Sequence, residues 1–189
     1  MRKAFSFLLT VFWTAAFFMP PVSPVRAAAP PASSVSQLCE SFGVQRFPSK
    51  KEAPPFTLRA LDGGSVTLSS YRGKPVVLFF WGTWCDSCKE DILLLEKLVE
   101  GKKDQISVFT VVVDGERDKR ARQIAEKLKI SLPVLLITKE KVIDTYEIRM
   151  IPTVVVIDPE GCITGKIVGQ RDWAKPEAWT VLKELSGLH

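Results

Sequence analysis

The sequence predicts one α/β domain of three layers, in which helices cover a central mixed sheet. Continuous apolar runs rich in β-branched residues, which are typical of strands buried on both faces, alternate with segments of helical periodicity. Turn sequences separate two pairs of short strand-like runs, which predicts antiparallel hairpins. The length of 189 residues suits one domain better than two.

The composition narrows the class of protein before any motif is considered. A hydrophobic fraction of 46% with 25% charged residues is ordinary for a globular protein, which disfavours wholesale disorder and a polytopic membrane protein. The only histidine is His189, so mechanisms that use an internal histidine base or several histidine metal ligands are disfavoured. The formal charge of +5 raises the question of a nucleic-acid partner.

The first 27 residues have the pattern of an export signal. Arg2 and Lys3 precede a nearly unbroken apolar run of 16 residues at 4–19, shorter than the about 20 residues that cross a bilayer, and small residues flank Arg26. We therefore predict a signal peptide at residues 1–27 and a periplasmic or other extracytoplasmic product, with an uncleaved membrane anchor as the alternative. Removing 27 of the 189 residues, three of them basic and none acidic, leaves 162 residues and a charge of +2. That charge calls for no nucleic-acid partner.

The segment after this signal predicts an arm and then the domain. Residues 28–53 are dominated by Pro, Ala, Ser and Lys without sustained periodicity, which predicts a linker or loosely ordered arm. The domain is expected at residues 54–187. It begins with an N-terminal β-hairpin, because two strand-like runs flank Asp62-Gly63-Gly64.

Strands and helices then alternate along the chain. Buried strands are predicted at residues 75–81, 106–113 and 134–137, and helices at 86–101, 116–128 and 141–146. A second hairpin, at 153–157 and 163–168, brackets Asp158-Pro159-Glu160-Gly161, and a last helix at 176–185 begins with proline. Alternating strands and helices predict a parallel core, to which the hairpins add antiparallel strands.

The chemistry is concentrated in Trp84-Cys85-Asp86-Ser87-Cys88, a Cys-x-x-Cys between a buried strand and a long helix. This spacing lets the two sulfurs cycle between dithiol and disulfide. Free N–H groups at the helix start favour the thiolate of the first cysteine. We therefore expect Cys85 to attack and Cys88 to resolve the mixed disulfide.

Other uses of the two cysteines fit less well. A structural disulfide between residues three apart would restrain little of the unfolded chain. A zinc site needs two more ligands, and only Cys39, Cys162 and His189 remain, at irregular spacing. A haem attachment motif is excluded because Lys89, not histidine, follows the second cysteine.

The segment around the two cysteines resembles the active-site segment of the thioredoxin superfamily: Phe79-Phe80-Trp81-Gly82-Thr83-Trp84-Cys85-Asp86-Ser87-Cys88-Lys89. Tyr146-Glu147-Ile148-Arg149-Met150-Ile151-Pro152-Thr153 is similar to its cis-proline loop, and the second hairpin is similar to its terminal hairpin. Gly169-Gln170-Arg171-Asp172-Trp173 resembles the ending of the extracytoplasmic TlpA/ResA-like branch. The resemblance covers about residues 54–187.

The resemblance implies a thioredoxin-like fold and a set of site residues. Cys85 would be the nucleophile and Cys88 the resolving thiol. Pro152 would be cis, with the backbone of Ile151 facing the thiols and pairing with an extended substrate strand. Trp84 is a candidate for substrate contact, whereas we expect its neighbour Trp81 to lie in the core.

The chain departs from the branch within the helix after the motif. The ResA-like branch places a Glu three residues after the second cysteine and often a Pro two residues later, where this chain has Asp91 and Leu93. Two interpretations of Asp91 are open: a buried acid that receives the proton of Cys88, or a carboxylate that only interacts with the helix dipole.

Asp86 bears on the direction of the redox reaction. A carboxylate beside Cys85 disfavours its thiolate and therefore the reduced state, with Lys89 partly offsetting it. We therefore predict a reductant.

Cys39 and Cys162 fit either a disulfide or two unpaired thiols, and we favour the unpaired state.

These observations predict an exported thiol–disulfide oxidoreductase that reduces protein disulfides. The resemblance implies a client in cytochrome c biogenesis such as apocytochrome c, and a membrane thiol carrier of the CcdA or DsbD type as electron donor. No NADPH or flavin motif is present, so no cofactor or metal is expected, and we expect a monomer. The alternatives are a peroxiredoxin-like peroxidase, which would use Thr-x-x-Cys with a distant resolving cysteine, and a copper-handling or scaffold protein of the same fold.

Overall fold

The computed structural model describes residues 32–188, which form an α/β fold with helices on a central mixed sheet. The helices are α1 (Ala32–Ser41), α2 (Asp86–Val99), α3 (Asp118–Leu128), α4 (Val142–Thr145) and α5 (Pro176–Ser186). The strands are β1 (Val44–Glu52), β2 (Thr57–Ala60), β3 (Ser65–Thr67), β4 (Val76–Trp81), β5 (Ser107–Val112), β6 (Val134–Leu136), β7 (Thr153–Ile157) and β8 (Cys162–Val168). The predicted signal at residues 1–27 lies outside the described residues.

The sheet has eight strands in the order β1-β8-β7-β4-β5-β6-β2-β3. β4 pairs with β5 and β5 with β6 in parallel, and the other neighbours are antiparallel. The mixed sheet predicted from the sequence is therefore confirmed, as are both hairpins. The N-terminal hairpin extends the sheet beyond β6.

The two faces of the sheet carry two hydrophobic cores because β4 is buried along its whole length and its side chains alternate between them. Phe79 and Trp81 pack in the core that includes α2 and α5, whereas Leu78 and Phe80 pack in the core beneath the N-terminal hairpin. A strand buried on both faces explains the continuous apolar run from which it was predicted.

The arm expected at residues 28–53 is wrong for its described part. α1 packs on the core through Cys39, Phe42 just after it joins the same core, and β1 pairs antiparallel with β8 as the edge strand of the sheet. The register slips between Arg46 and Lys51, so the strand tolerates a proline-containing, charged stretch that has no strand pattern of its own. The sheet therefore begins before residue 54.

The presence of β1 also shows that the expected position of Cys162, on an edge strand, is wrong. The sequence places this cysteine at the start of an apparent edge strand, but β1 covers that edge, and Cys162 pairs in register with Glu52. Cys39 is buried and Cys162 is half-buried, and both are free thiols, as the favoured sequence interpretation has it.

Candidate active site

Cys85 and Cys88 lie at the junction between β4 and α2 and are joined by a disulfide. Cys85 is the N-cap residue of α2, and its sulfur accepts a hydrogen bond from the backbone N–H of Cys88 at 3.2 Å. Cys85 is half-buried, whereas Cys88, one turn inside the helix, has no exposed surface. One sulfur is therefore accessible beside a helix start and the other is enclosed.

The loop that precedes Cys85 is held by Asp114, which follows β5. The Asp114 carboxylate accepts from the backbone N–H of Thr83 at 3.0 Å and from the Thr83 hydroxyl at 2.6 Å. Thr83 is completely buried, so these bonds satisfy polar groups that water does not reach. Asp114 thereby fixes the approach of the chain to the disulfide.

The indole of Trp84 lies over Gly82 on the surface of the same loop. A Cβ added at Gly82 would come within 2.9 Å of the indole ring, so the glycine leaves the space that the ring occupies. Trp84 is 56% exposed and stands next to Cys85 in sequence. Trp81, in contrast, is fully buried, as expected.

The cis-proline loop lies at the same end of the sheet as the disulfide. The Ile151–Pro152 peptide bond is cis, as the resemblance implies. β4 and β7 are antiparallel, with Phe80 opposite Thr153. Pro152 and Ile151, which precede Thr153, therefore lie beside the residues that follow Phe80 and lead into the Cys85 loop. Met150 precedes them and is 59% exposed, which makes it, with Trp84, one of two exposed large apolar side chains in residues 32–188.

Three hydrogen bonds hold this loop in place. The carbonyl of Pro152 accepts from the backbone N–H of Gly169 at 2.8 Å, and Thr153 donates its hydroxyl to the carbonyl of Met150 at 2.6 Å. Buried Lys166 donates to the carbonyl of Tyr146 at 2.6 Å, and burial lowers the pKa of this lysine. The loop is therefore anchored at both ends.

Asp91 lies one turn beyond Cys88 on α2 and is 1% exposed. Its Oδ2 accepts from the backbone N–H of Arg171 at 3.2 Å and from the indole N–H of Trp173 at 3.3 Å. Burial raises the pKa of Asp91 to about 6, although these two donors act in the opposite direction. The group is therefore a buried carboxyl that titrates near neutral pH, unlike a solvent-exposed partner of the helix dipole.

Asp86 faces solvent at the start of α2 and pairs with Lys89 at 2.6 Å. The hydrogen bond and positive charge of Lys89 lower the pKa of Asp86, so the carboxylate is ionised beside Cys85 at neutral pH. The partial offset by Lys89 expected from the sequence thus takes the form of a direct ion pair.

The structure brings together Cys85, Cys88, Ile151 and Pro152, which the sequence singled out. Sequence reasoning missed Asp114, Trp173 and the exposed Met150. One signal for Asp114 was available: Thr83 and Asp114 follow two parallel buried strands, whose carboxyl ends lie at one edge of a sheet. Nothing local to Trp173 indicates that its indole reaches α2.

Residues 32–188 lack a metal-binding cluster and a membrane-spanning helix. This part of the chain has no group of three or more His, Cys, Asp or Glu side chains arranged to hold a metal ion. It also has no helix that is long and apolar enough to cross a membrane.

Comparison with known proteins gives the family. The model of the AhpC/TSA family matches residues 50–166, which include the disulfide, Asp91 and the cis-proline loop. The chain belongs to the AhpC/TSA family. Within this family of thioredoxin-like proteins, it is similar to the thiol-disulfide oxidoreductase ResA of Bacillus subtilis. The two are 31% identical over 127 residues, which cover 67% of this chain and 71% of ResA.

Comparison with solved structures gives a consistent result. The thioredoxin domain of a thiol-disulfide oxidoreductase from Bacteroides vulgatus is 28% identical with a TM-score of 0.63, covering 74% of this chain and 99% of that domain. A putative thiol:disulfide interchange protein DsbE from Chlorobium tepidum is 25% identical with a TM-score of 0.62, covering 72% of this chain and 93% of that one. The protein is a thioredoxin-fold thiol–disulfide oxidoreductase of the ResA/DsbE type.

Proposed function

We propose that this oxidoreductase reduces protein disulfides outside the cytoplasm through the pair Cys85 and Cys88. The observation that carries the proposal is the disulfide between these residues at the start of α2, beside the cis-proline loop. A reversible pair at a helix start is the arrangement that thiol–disulfide exchange requires.

The exchange takes place in two steps, the formation of a mixed disulfide and its resolution. In the reduced protein the thiolate of Cys85 attacks a client disulfide, which forms a mixed disulfide and releases one client thiolate. Cys88 then transfers its proton to Asp91, its sulfur bonds to the sulfur of Cys85, and the bond from Cys85 to the client breaks. The second client thiolate leaves with the electron pair. The client gains two electrons, and the protein ends with the Cys85–Cys88 disulfide.

The two cysteines have surroundings that suit these different roles. Cys85 is half-buried and accepts the N–H of Cys88, a bond that stabilises negative charge on its sulfur. Cys88 has no exposed surface, so it reaches only the neighbouring sulfur. Asp91, on the same face of α2 one turn further on, supplies the proton acceptor.

The proposed client site is the exposed apolar surface on either side of the disulfide. Trp84 and Met150 offer side chains, and the backbone of Ile151 before cis Pro152 offers main-chain hydrogen bonds to an extended client strand. Main-chain pairing binds many sequences, and a flexible methionine adapts to different side chains. The surface therefore fits an unfolded or extended polypeptide better than a small molecule.

Export, donor and client follow from the sequence pattern and the family resemblance. The charged start and short apolar run at residues 1–27 support a signal peptide or membrane anchor. We propose apocytochrome c or another cytochrome c biogenesis client as substrate, and a membrane thiol carrier of the CcdA or DsbD type as donor. The negative charge of Asp86 beside Cys85 supports a reductant.

The peroxidase and copper-handling alternatives find no support in the site. A Thr-x-x-Cys would place threonine three residues before the reactive cysteine, but the residues at those positions are Gly82 before Cys85 and Cys85 before Cys88. The AhpC/TSA model therefore matches this chain without the peroxidase motif.

Reduction of insulin disulfides by dithiothreitol tests the function. The wild-type protein should accelerate it, and Cys85→Ser should abolish the acceleration. Cys162→Ser is the matched control because it removes a half-buried thiol away from the site. Turnover that survives Cys85→Ser would refute the proposal. A Cys85/Cys88 midpoint near the roughly −120 mV of DsbA-like oxidants would refute the reductant assignment.

A further inference from the structure

The loop after β8 donates hydrogen bonds to one carboxyl oxygen of Asp91, and the other oxygen has no hydrogen-bond partner among the described residues. Oδ2 accepts two N–H groups, from the Arg171 backbone at 3.2 Å and from the Trp173 indole at 3.3 Å. Oδ1 is buried and has no hydrogen-bond partner among the described residues. The two oxygens of this carboxyl group are therefore not equivalent.

This asymmetry decides where a proton binds. An N–H donor stabilises the negatively charged form of the oxygen that it contacts, and it has no lone pair with which to accept a proton from that oxygen. A proton on Asp91 is therefore held at Oδ1. Cys88 is three residues earlier on α2 and shares the same face of the helix.

We propose that Trp173 is a positioning residue for Asp91, whose indole N–H fixes Oδ2 as the hydrogen-bond acceptor so that Oδ1 exchanges a proton with Cys88. The inference rests on the proposed function, in which Asp91 receives that proton during resolution of the mixed disulfide. The proton moves from the Cys88 sulfur to Oδ1, and the Cys88 sulfur then bonds to Cys85 as the client thiolate departs.

The turn between α1 and β1 holds the indole in place. Phe42, just after α1, packs edge-on against Trp173 with ring centroids 5.4 Å apart. Arg171 donates from Nε to the carbonyl of Phe42 at 2.7 Å, and its guanidinium occupies the space that a side chain at Gly43 would need. This turn therefore supports both N–H donors, and Trp173 itself is only 1% exposed.

Few ionisable groups among the described residues affect the pKa of Asp91. The Arg171 guanidinium lowers its pKa and neighbouring Glu90 raises it, while the thiols of Cys85 and Cys88 lie on the same helix. From α1, Cys39 contributes a buried thiol to the same core. β4 and β7 have no ionisable side chain. In the oxidised protein Cys85 and Cys88 are joined by a disulfide and do not titrate, so the titration of Asp91 is measured without a contribution from their thiols.

Titration of the oxidised protein with ¹³C-labelled aspartate carboxyl groups tests the inference. The Trp173→Phe variant keeps an aromatic ring in the core but removes one donor to the ionised carboxylate. We expect the pKa of Asp91 to rise by about one pH unit. Trp179→Phe is the matched control, since Trp179 lies on α5 with its ring under Lys102, at 5.0 Å from Nζ, and it should leave that pKa unchanged.

The wild-type protein gives a second readout that does not depend on a variant folding. The ¹⁵N-bound indole proton of Trp173 should shift with pH at the midpoint of Asp91, near pH 6, and Asp91→Asn should abolish this shift. An indole resonance that ignores pH between 4 and 8, or a Trp173→Phe change no larger than that of Trp179→Phe, would overturn the inference.

A kinetic arm separates this inference from the proposed function. With insulin as substrate, Trp173→Phe should shift the acidic limb of the rate profile upward by about one pH unit, parallel to the NMR shift. If Cys85→Ser stays active, the proposed function fails whatever the titrations show. If Cys85→Ser is inactive but Trp173→Phe leaves the Asp91 pKa unchanged, only the positioning role fails.

Discussion

Asp114 accepts two hydrogen bonds from Thr83, one from the backbone N–H at 3.0 Å and one from the hydroxyl at 2.6 Å. These bonds join the carboxyl ends of β4 and β5 two residues before the disulfide. Asp114→Ala would leave both groups of the buried threonine unpaired, so we expect a loss of about 1–3 kcal/mol in the free energy of unfolding in urea. Asp104→Ala, at an exposed loop aspartate before β5, should cost little. Equal losses in the two variants would contradict the role of Asp114.

The pKa of Asp91 makes the stability of the oxidised protein depend on pH. Because the folded-state value of about 6 exceeds the ordinary value of 3.8, the folded state binds more protons between these limits. Stability should therefore fall as pH rises from about 4 to above 6, by on the order of 3 kcal/mol. Urea unfolding of wild type and Asp91→Asn between pH 4 and 8 measures this, and the variant should lack the decline. A wild-type protein whose stability falls no more than that of the variant would refute the assignment.

The turn between α1 and β1 predicts a steric effect at Gly43. Its φ of +77° is in the left-handed region, and an added Cβ would collide with the Arg171 guanidinium. Gly63 has a φ of +98° but no atom within 4 Å of an added Cβ. Gly43→Ala should therefore reduce the free energy of unfolding by more than Gly63→Ala, which costs about 1 kcal/mol from backbone strain alone. Indistinguishable losses would show that Arg171 does not occupy that space in solution.

The ion pair at the start of α2 predicts opposite shifts in redox potential. Asp86→Asn removes a negative charge beside Cys85, which favours its thiolate and should raise the midpoint potential by on the order of 10 mV. Lys89→Gln removes the compensating charge and should lower it. Both shifts should shrink in high salt because the groups are near the surface. Titration against glutathione measures them, and shifts of the same sign would contradict the electrostatic explanation.

Much of the fold follows from patterns that are local in the sequence. β4 is a continuous apolar run, both hairpin turns contain glycine, and α2 and α5 begin and end within about two residues of the predicted positions. β1 could not be found in this way. Its sequence includes proline and several charges, and its pairing with β8 depends on a strand more than a hundred residues away.

The candidate site divides along the same line. Cys85 and Cys88 lie in a motif whose spacing indicates their chemistry, and cis Pro152 is what the resemblance to the thioredoxin superfamily implies. Trp173 and Asp114 act through contacts between distant segments, which only the packed structure creates. The distinction between a buried acid and an exposed dipole partner at Asp91 likewise depends on burial, which the one-letter sequence does not contain.

The proposed function requires that Cys85 attacks disulfides and that Cys88 resolves the intermediate. Mass spectrometry of Cys88→Ser after reaction with a synthetic peptide disulfide tests it most directly. One peptide should remain attached through a disulfide to Cys85, while the reduced wild type should release both thiols and form the Cys85–Cys88 disulfide. Cys85→Ser is the matched control and should hold no peptide at either position of the motif. A Cys88→Ser protein without a stable adduct on Cys85, or a Cys85→Ser protein that traps the peptide equally well, would contradict these roles of the two cysteines.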